Sequence, residues 1–107
     1  MIVGVFRARP RAGIGADYME LGMRMSELAS KMPGHISHKS FASEDGEWVT
    51  IVEFASEAEL RAWREHPEHI AAQQKGRDLY YAEYQIQICE VMRESKFKAA
   101  EPAMAGG

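Results

Sequence analysis

Strand-like and helix-like stretches follow one another in the order β-α-β-β-α-β, which predicts an α+β fold carried by one four-stranded antiparallel sheet. Three observations support this. With 107 residues, 46% of them hydrophobic, the chain has room for one domain with one core. Apolar residues recur every three or four positions in one long stretch and alternate in several shorter ones. Between the second and third strand-like runs lies Asp45-Gly46, a hairpin signal that makes those two strands antiparallel neighbours. The order is that of the ferredoxin-like split βαβ sandwich, with its second helix broken at Pro67.

Residues 2–9 alternate and are rich in β-branched and aromatic side chains, so they form the first strand, which Pro10 ends or confines to an edge. Residues 11–15 turn the chain. The GIGADY segment there lacks the lysine of a phosphate loop and the third glycine of a dinucleotide fingerprint, so Gly13 and Gly15 are backbone punctuation. Over residues 16–32, Tyr18, Leu21, Met25, Leu28 and Met32 form an apolar stripe opposite Asp17, Glu20, Arg24, Glu27 and Lys31, the pattern of an amphipathic helix. Met19, Met23, Met25 and Met32 are expected to fill core. Pro33-Gly34 stops the helix.

Strands are expected over residues 35–42 and 47–54. In the second, Trp48, Val52 and Phe54 share one face and Val49 and Ile51 the other, so both faces need cover. Helices can supply one side; a partner subunit is the expected cover for the other. Ser56 and Glu59 form a capping box that opens a helix through Leu60 and Trp63. A further helix is expected over residues 68–83, weakened at Gly76, and a last strand over 84–92, with Tyr84, Ile86 and Ile88 on one side. The domain spans residues 1–95, and residues 96–107 are expected to be a loosely ordered tail.

Thirteen Lys and Arg against 16 Asp and Glu give a net charge of −3 with no basic stripe, which argues against nucleic acid as a partner. No apolar run reaches membrane-spanning length and the first residues lack the pattern of a secretion signal, so a cytoplasmic protein with no membrane partner is expected. Cys89, the one cysteine, allows neither an internal disulfide nor a CxxC site.

The chemistry concentrates in LRAWREHPEH, residues 60–69, where Trp63, His66 and His69 flank the Pro67 break. His66 either closes the helix before the proline, where a cation is favourable, or acts as a base. His69 falls in the first turn of the next helix, where positive charge is disfavoured, and its neutral form suits a general base. Trp63 is at once a core anchor and a ring on which an aromatic ligand could stack. His35 and His38 are three apart in a strand, so they are expected on opposite faces and outside any shared metal site; no metal is assigned.

The spacing of MIVGVFRARP, the MPGHISHKSF turn, VTIVEFASEAELRAWREHPEH and the closing YQIQICEVMRES resembles the antibiotic biosynthesis monooxygenase family over nearly the whole chain. The resemblance implies a dimeric α+β barrel in which two four-stranded sheets pack face to face. It implies either of two chemistries. In the haem-degrading branch an Asn on strand one and a His nine or ten residues after the Trp hold the haem; here those positions are Arg7 and Ala72 or Gln73, so the iron ligand is missing and no cofactor is expected. In the anthrone-oxygenase branch an Asn precedes the Trp by one turn and a Tyr follows it by six residues; here Glu59 and His69 stand there. The resemblance therefore implies a cofactor-independent monooxygenase acting on a quinol-like or anthrone-like aromatic with dioxygen. Its catalytic residues would be His69, Trp63 and His66, and its substrate contacts Arg7, His38, Trp48, Glu59 and Tyr84. The alternative is a dimeric small-molecule binding protein without turnover, in which Met25, Trp48, Trp63 and the tyrosines fill the cavity; a haem-degrading monooxygenase ranks below both.

Overall fold

The structure is a computed structural model that describes residues 1–100. Its elements are β1 (Ile2–Pro10), α1 (Ala16–Ser30), β2 (His35–Ala42), β3 (Trp48–Phe54), α2 (Glu57–Arg64), α3 (Pro67–Lys75), a π-helical turn (Gly76–Tyr80) and β4 (Tyr81–Glu90). The strands lie in the order β2-β3-β1-β4, every neighbour antiparallel, with the helices on one side, as the ferredoxin-like reading expected.

Register fixes which side chains meet the helices. Gly4 is opposite Val52 on one neighbour and Ile88 on the other. A Cβ built on Gly4 would stand 2.9 Å from Val52 Cγ1 and 3.7 Å from both Ile88 Cδ1 and Leu60 Cδ2, so this parity faces α2. Ile2, Phe6, Ala8, Trp48, Thr50 and Phe54 share it, and so do Tyr84 and Ile86. The core sits here: Ala29, Phe54, Leu60 and Trp63 are buried, with Ile2, Met25, Leu28, Met32 and Val52 packed around them. Met25 and Met32 fill core as expected, but Met19 and Met23 stand out from α1, 62% and 72% exposed.

The opposite side of the sheet carries Val3, Val5, Val49 and Ile51, with Phe41 on β2, and no helix among the described residues covers it. Arg7 also points this way, its guanidinium forked onto Glu47 at 3.0 and 3.1 Å. Cys89, opposite Val3, is exposed on the same side.

Two expectations are corrected. The helical stretch does not run to residue 83: α3 gives way at Gly76 to a π turn, and β4 begins at Tyr81 because Tyr81 pairs with Pro10 and Glu83 with Arg9. His35 and His38 do not face opposite ways either. A bulge at Ile36, between the His35 and Ser37 pairings, sets His35 opposite Phe54 and His38 opposite Val52, both on the helix side. An extra residue in one strand resets its alternation, which spacing in sequence does not reveal. Residues 91–99 form neither helix nor strand, and the rest of the expected tail, 101–107, lies outside the described residues.

Candidate functional site

The Ser56 capping box starts α2: Ser56 Oγ accepts from the Glu59 amide at 3.2 Å and donates to Glu59 Oε1 at 3.0 Å. Leu60 and Trp63, three apart, then turn inward together and are buried. After Arg64 the chain bends, and Pro67 takes the first position of α3, where its missing N–H costs no bond. His66 caps α3, its Nδ1 accepting from the Glu68 amide at 3.1 Å. That reverses the expectation of a cation closing the preceding helix: the ring serves the N-terminus of the following one, and protonating Nδ1 would remove the cap.

The His69 ring lies flat on Trp63, centroids 4.1 Å apart and planes 17° apart. Its Nδ1 is 3.1 Å from the Trp63 carbonyl oxygen. A carbonyl only accepts, so Nδ1 carries the proton and the lone pair of the neutral ring is on Nε2. Burial lowers the pKa of His69, partly opposed by that carbonyl, with the positive charge of Arg64 acting in the same sense as burial. The result is a neutral, fixed imidazole with a free basic nitrogen.

His69, Ala72, Gln73 and Gly76 follow one another at steps of three, one and three, and all are half-buried or buried, so they form the inner face of α3. Gln73 Nε2 donates to the Arg64 carbonyl at 2.9 Å, and Ala72 has no polar atom on its side chain, so neither position offers the imidazole of the haem-degrading pattern. On the sheet, α2 packs on β1 and β3 and α1 on β2. On β4, Tyr84, Ile86 and Ile88 turn to the helix side yet stay 38%, 41% and 40% exposed. Between them, α1 and α3 leave a groove of about 210 Å³ lined by Leu21, Arg24, Met25, Glu68, Ala71, Ala72 and Lys75. Arg24 and Glu68 bridge its walls with a forked pair, both bonds 3.0 Å.

Aromatic rings close the far end of the helix side. Tyr18 lies 5.2 Å from Trp48, 5.0 Å from Tyr80 and 5.9 Å from Tyr81, and Phe6 lies 5.3 and 5.4 Å from Tyr81 and Tyr84. The Tyr18 and Tyr81 hydroxyls meet at 3.0 Å, and Tyr80 donates to Asp17 at 2.8 Å. Burial and the Tyr18 hydroxyl push Tyr81 far above the ordinary phenol range. Gly76 makes this packing possible, since a Cβ there would be 2.7 Å from Tyr81 Cε2. Arg77 donates to the Tyr84 hydroxyl at 3.1 Å, leaving the phenol proton free for another acceptor.

The structure therefore brings Trp63, His66 and His69 together and puts Trp48, Tyr84 and His38 on the same side of the sheet. Arg7 points to the other face of the sheet, away from Trp63, His66, His69, Trp48 and His38, and lines a cavity of about 200 Å³ with Arg9, Glu47, Glu83 and Gln85 that Tyr84 also borders. The Glu59 carboxylate is occupied by its cap and by Gly34. Sequence reading placed Tyr18 and Arg24 on α1 by periodicity but gave neither of them, nor Ser26, a part in the site; their partners Tyr81, Glu68 and His38 meet them only in three dimensions. Among the described residues no group of three or more His, Cys, Asp or Glu is placed to hold a metal ion, and no helix is long and apolar enough to cross a membrane.

Comparison with known proteins agrees with this architecture. The sequence model for "Antibiotic biosynthesis monooxygenase" matches residues 1–75. The chain belongs to the antibiotic biosynthesis monooxygenase family. It is 35% identical over 81 residues to the uncharacterized protein YqjZ of Bacillus subtilis (strain 168), covering 76% of this chain and 71% of YqjZ. Among solved structures, Rv0793 of Mycobacterium tuberculosis superposes with a TM-score of 0.78 at 19% identity, over 89% of this chain and 98% of that one. SnoaB, a cofactor-independent oxygenase from Streptomyces nogalater, superposes at 0.73 and 16% identity, over 87% and 94%. At these identities the two superpositions establish a shared fold.

Proposed function

We propose that this protein is a cofactor-independent monooxygenase that oxidises a hydroxylated aromatic of the quinol or anthrone kind with dioxygen, His69 taking the first proton. The observation that carries the reading is the His69 ring, held against Trp63 with Nδ1–H on a carbonyl and Nε2 free. A base that is neutral near pH 7 and cannot rotate away suits proton abstraction from a phenol or an activated CH₂. The carbanion or phenolate gives one electron to dioxygen, and the two radicals combine at carbon as a peroxide. Loss of water leaves a carbonyl, so ArCH₂ and O₂ become ArC=O and H₂O. Tyr84, with its oxygen held by Arg77 and its proton free, would donate to the developing oxyanion. Trp63 acts as a positioning residue, because the ring face open to a substrate in the sequence reading is taken by His69.

The groove of about 210 Å³ is smaller than the roughly 300–1,000 Å³ of ordinary ligand pockets. Ile86 and Ile88, exposed on the helix side of β4, offer a fused-ring substrate a further apolar surface. The bare opposite face, with Val3, Val5, Phe41, Val49 and Ile51, fits a second copy of the chain in a homodimer. The reading is of a cytoplasmic enzyme. SnoaB, with the same fold, is a cofactor-independent oxygenase, which supports it by analogy of fold.

A second reading, small-molecule binding without turnover, is favoured by the burial of Trp63 in the core with Ala29, Phe54 and Leu60. Oxygen uptake against a panel of quinols and anthrones, with a chelator present, separates the two. The oxygenase reading expects uptake above the spontaneous rate that falls by about 10²–10⁴-fold in His69→Ala. Ligand binding without uptake would leave the binding protein.

A further inference from the structure

We propose that Ser26, His38 and His35 form a proton-sharing latch that fastens α1 to β2 and sets the α1 wall of the groove between α1 and α3. The chain of contacts crosses from helix to sheet edge: Ser26 Oγ is 2.5 Å from His38 Nε2, and His38 Nδ1 is 2.8 Å from His35 Nε2. It exists because of the Ile36 bulge, without which the strand would turn one of the two rings to the other side. Ser26 directly follows Arg24 and Met25, which line the groove, so what holds Ser26 to the sheet holds that wall in place.

Counting protons gives the latch its behaviour. A gap of 2.8 Å between two ring nitrogens accommodates one hydrogen. In the neutral state the hydrogen belongs to either ring, and the Ser26 hydroxyl donates or accepts to match. One added proton leaves the link intact, since one ring still offers a lone pair to the other. A second sets N–H against N–H and parts the rings. The pair thus titrates in two separated steps, and only the second opens the latch.

The surroundings leave this to the two histidines themselves. From α1 the latch meets Ser26; from β3, Val52 and Phe54, the latter edge-on to His35 at 5.6 Å; from α2 the nearest charge is Glu59, against Gly34 and bonded to Ser56. Of the neighbouring charged residues of α1, Arg24 pairs with Glu68 and Glu27 with Lys31, while Glu53 is on the far side of the sheet with Ser37. Burial and the charge of His35 both lower the pKa of His38.

The test is an NMR titration of the imidazole nitrogens of the full chain from pH 8 to 4, without substrate, so that it stands apart from the oxygenase reading. The latch expects the two rings to protonate in two separated steps, with the amide signals of residues 21–26 moving only in the lower one. In His38→Gln, His35 should follow a single curve with no second step, and the acid movement of 21–26 should vanish; Ser26→Ala, which keeps both rings, should weaken that movement while preserving the split. Two rings that titrate independently at ordinary values, or α1 signals that ignore the lower step, would overturn the proposal.

Discussion

The carboxylate of Glu59 fills the space that a Cβ on Gly34 would take, so a side chain at that position must push it aside. Gly34 also holds φ at +80°, where an L side chain is strained. Gly34→Ala should therefore cost about 1–3 kcal/mol in urea unfolding. In a Glu59→Ala background the steric part disappears and about 1–2 kcal/mol of backbone strain remains. Equal penalties in both backgrounds would mean that the contact with Glu59 carries no cost.

Burial lowers the pKa of His69, so the base is already neutral below its ordinary midpoint of about 6.5. The kcat/KM of the oxygenase reaction should rise with pH to a midpoint under 6.5 and stay flat through neutrality. The stability sign is the same. Unfolded His69 binds its proton at higher pH than folded His69, so its contribution is present above the unfolded pKa and lost as pH falls through the folded one. His69→Gln should flatten that part of the stability profile.

Trp63→Ala should cost about 3–5 kcal/mol, because it empties the centre of a small core. Trp63→Phe is the informative change. It keeps the fold but takes away part of the surface on which His69 rests, so the His69 midpoint, followed by NMR, should move up toward its ordinary value. A fixed midpoint would show that His69 owes its state to other neighbours.

His66→Ala should lose about 1 kcal/mol, the usual worth of an N-cap, and His66→Asn should recover most of it. If His66 serves only as the cap, oxygen uptake per folded molecule is the same in both variants. A large loss of uptake in His66→Asn would restore it as a catalytic residue.

The fold was legible because its cues are local. Alternation marked the strands, Asp45-Gly46 the hairpin, Ser56 with Glu59 the start of α2, and Pro67 the break. What escaped are the places where one residue is added to a regular element. The Ile36 bulge inverted the expected faces of His35 and His38, and the π turn moved the start of β4 to Tyr81. Both depend on partners distant in sequence, Phe54 and Val52 for one, Pro10 for the other. The site was half legible on the same grounds. His69 and Trp63 are six residues apart on consecutive helices and could be paired by spacing. Arg7 shares the alternation of Val3 and Val5, but nothing local says which side of the sheet that is until Leu60 is seen against Gly4.

The five-residue π turn before β4 also has a bearing on how the chain can change length. A helix that closes its bonds one residue later than an α-helix takes up one extra residue, and a strand repeats every two. Removing a single residue between Gly76 and Tyr80, with Tyr81 still docked on Gly76, is absorbed if the turn tightens; if the strand slides instead, Ile86 and Ile88 trade sides with Gln85 and Gln87. The turn is thus a frame-keeper for the sheet: insertions or deletions that slip into β4 conserve in twos which of its side chains face the helices, and invert them in ones.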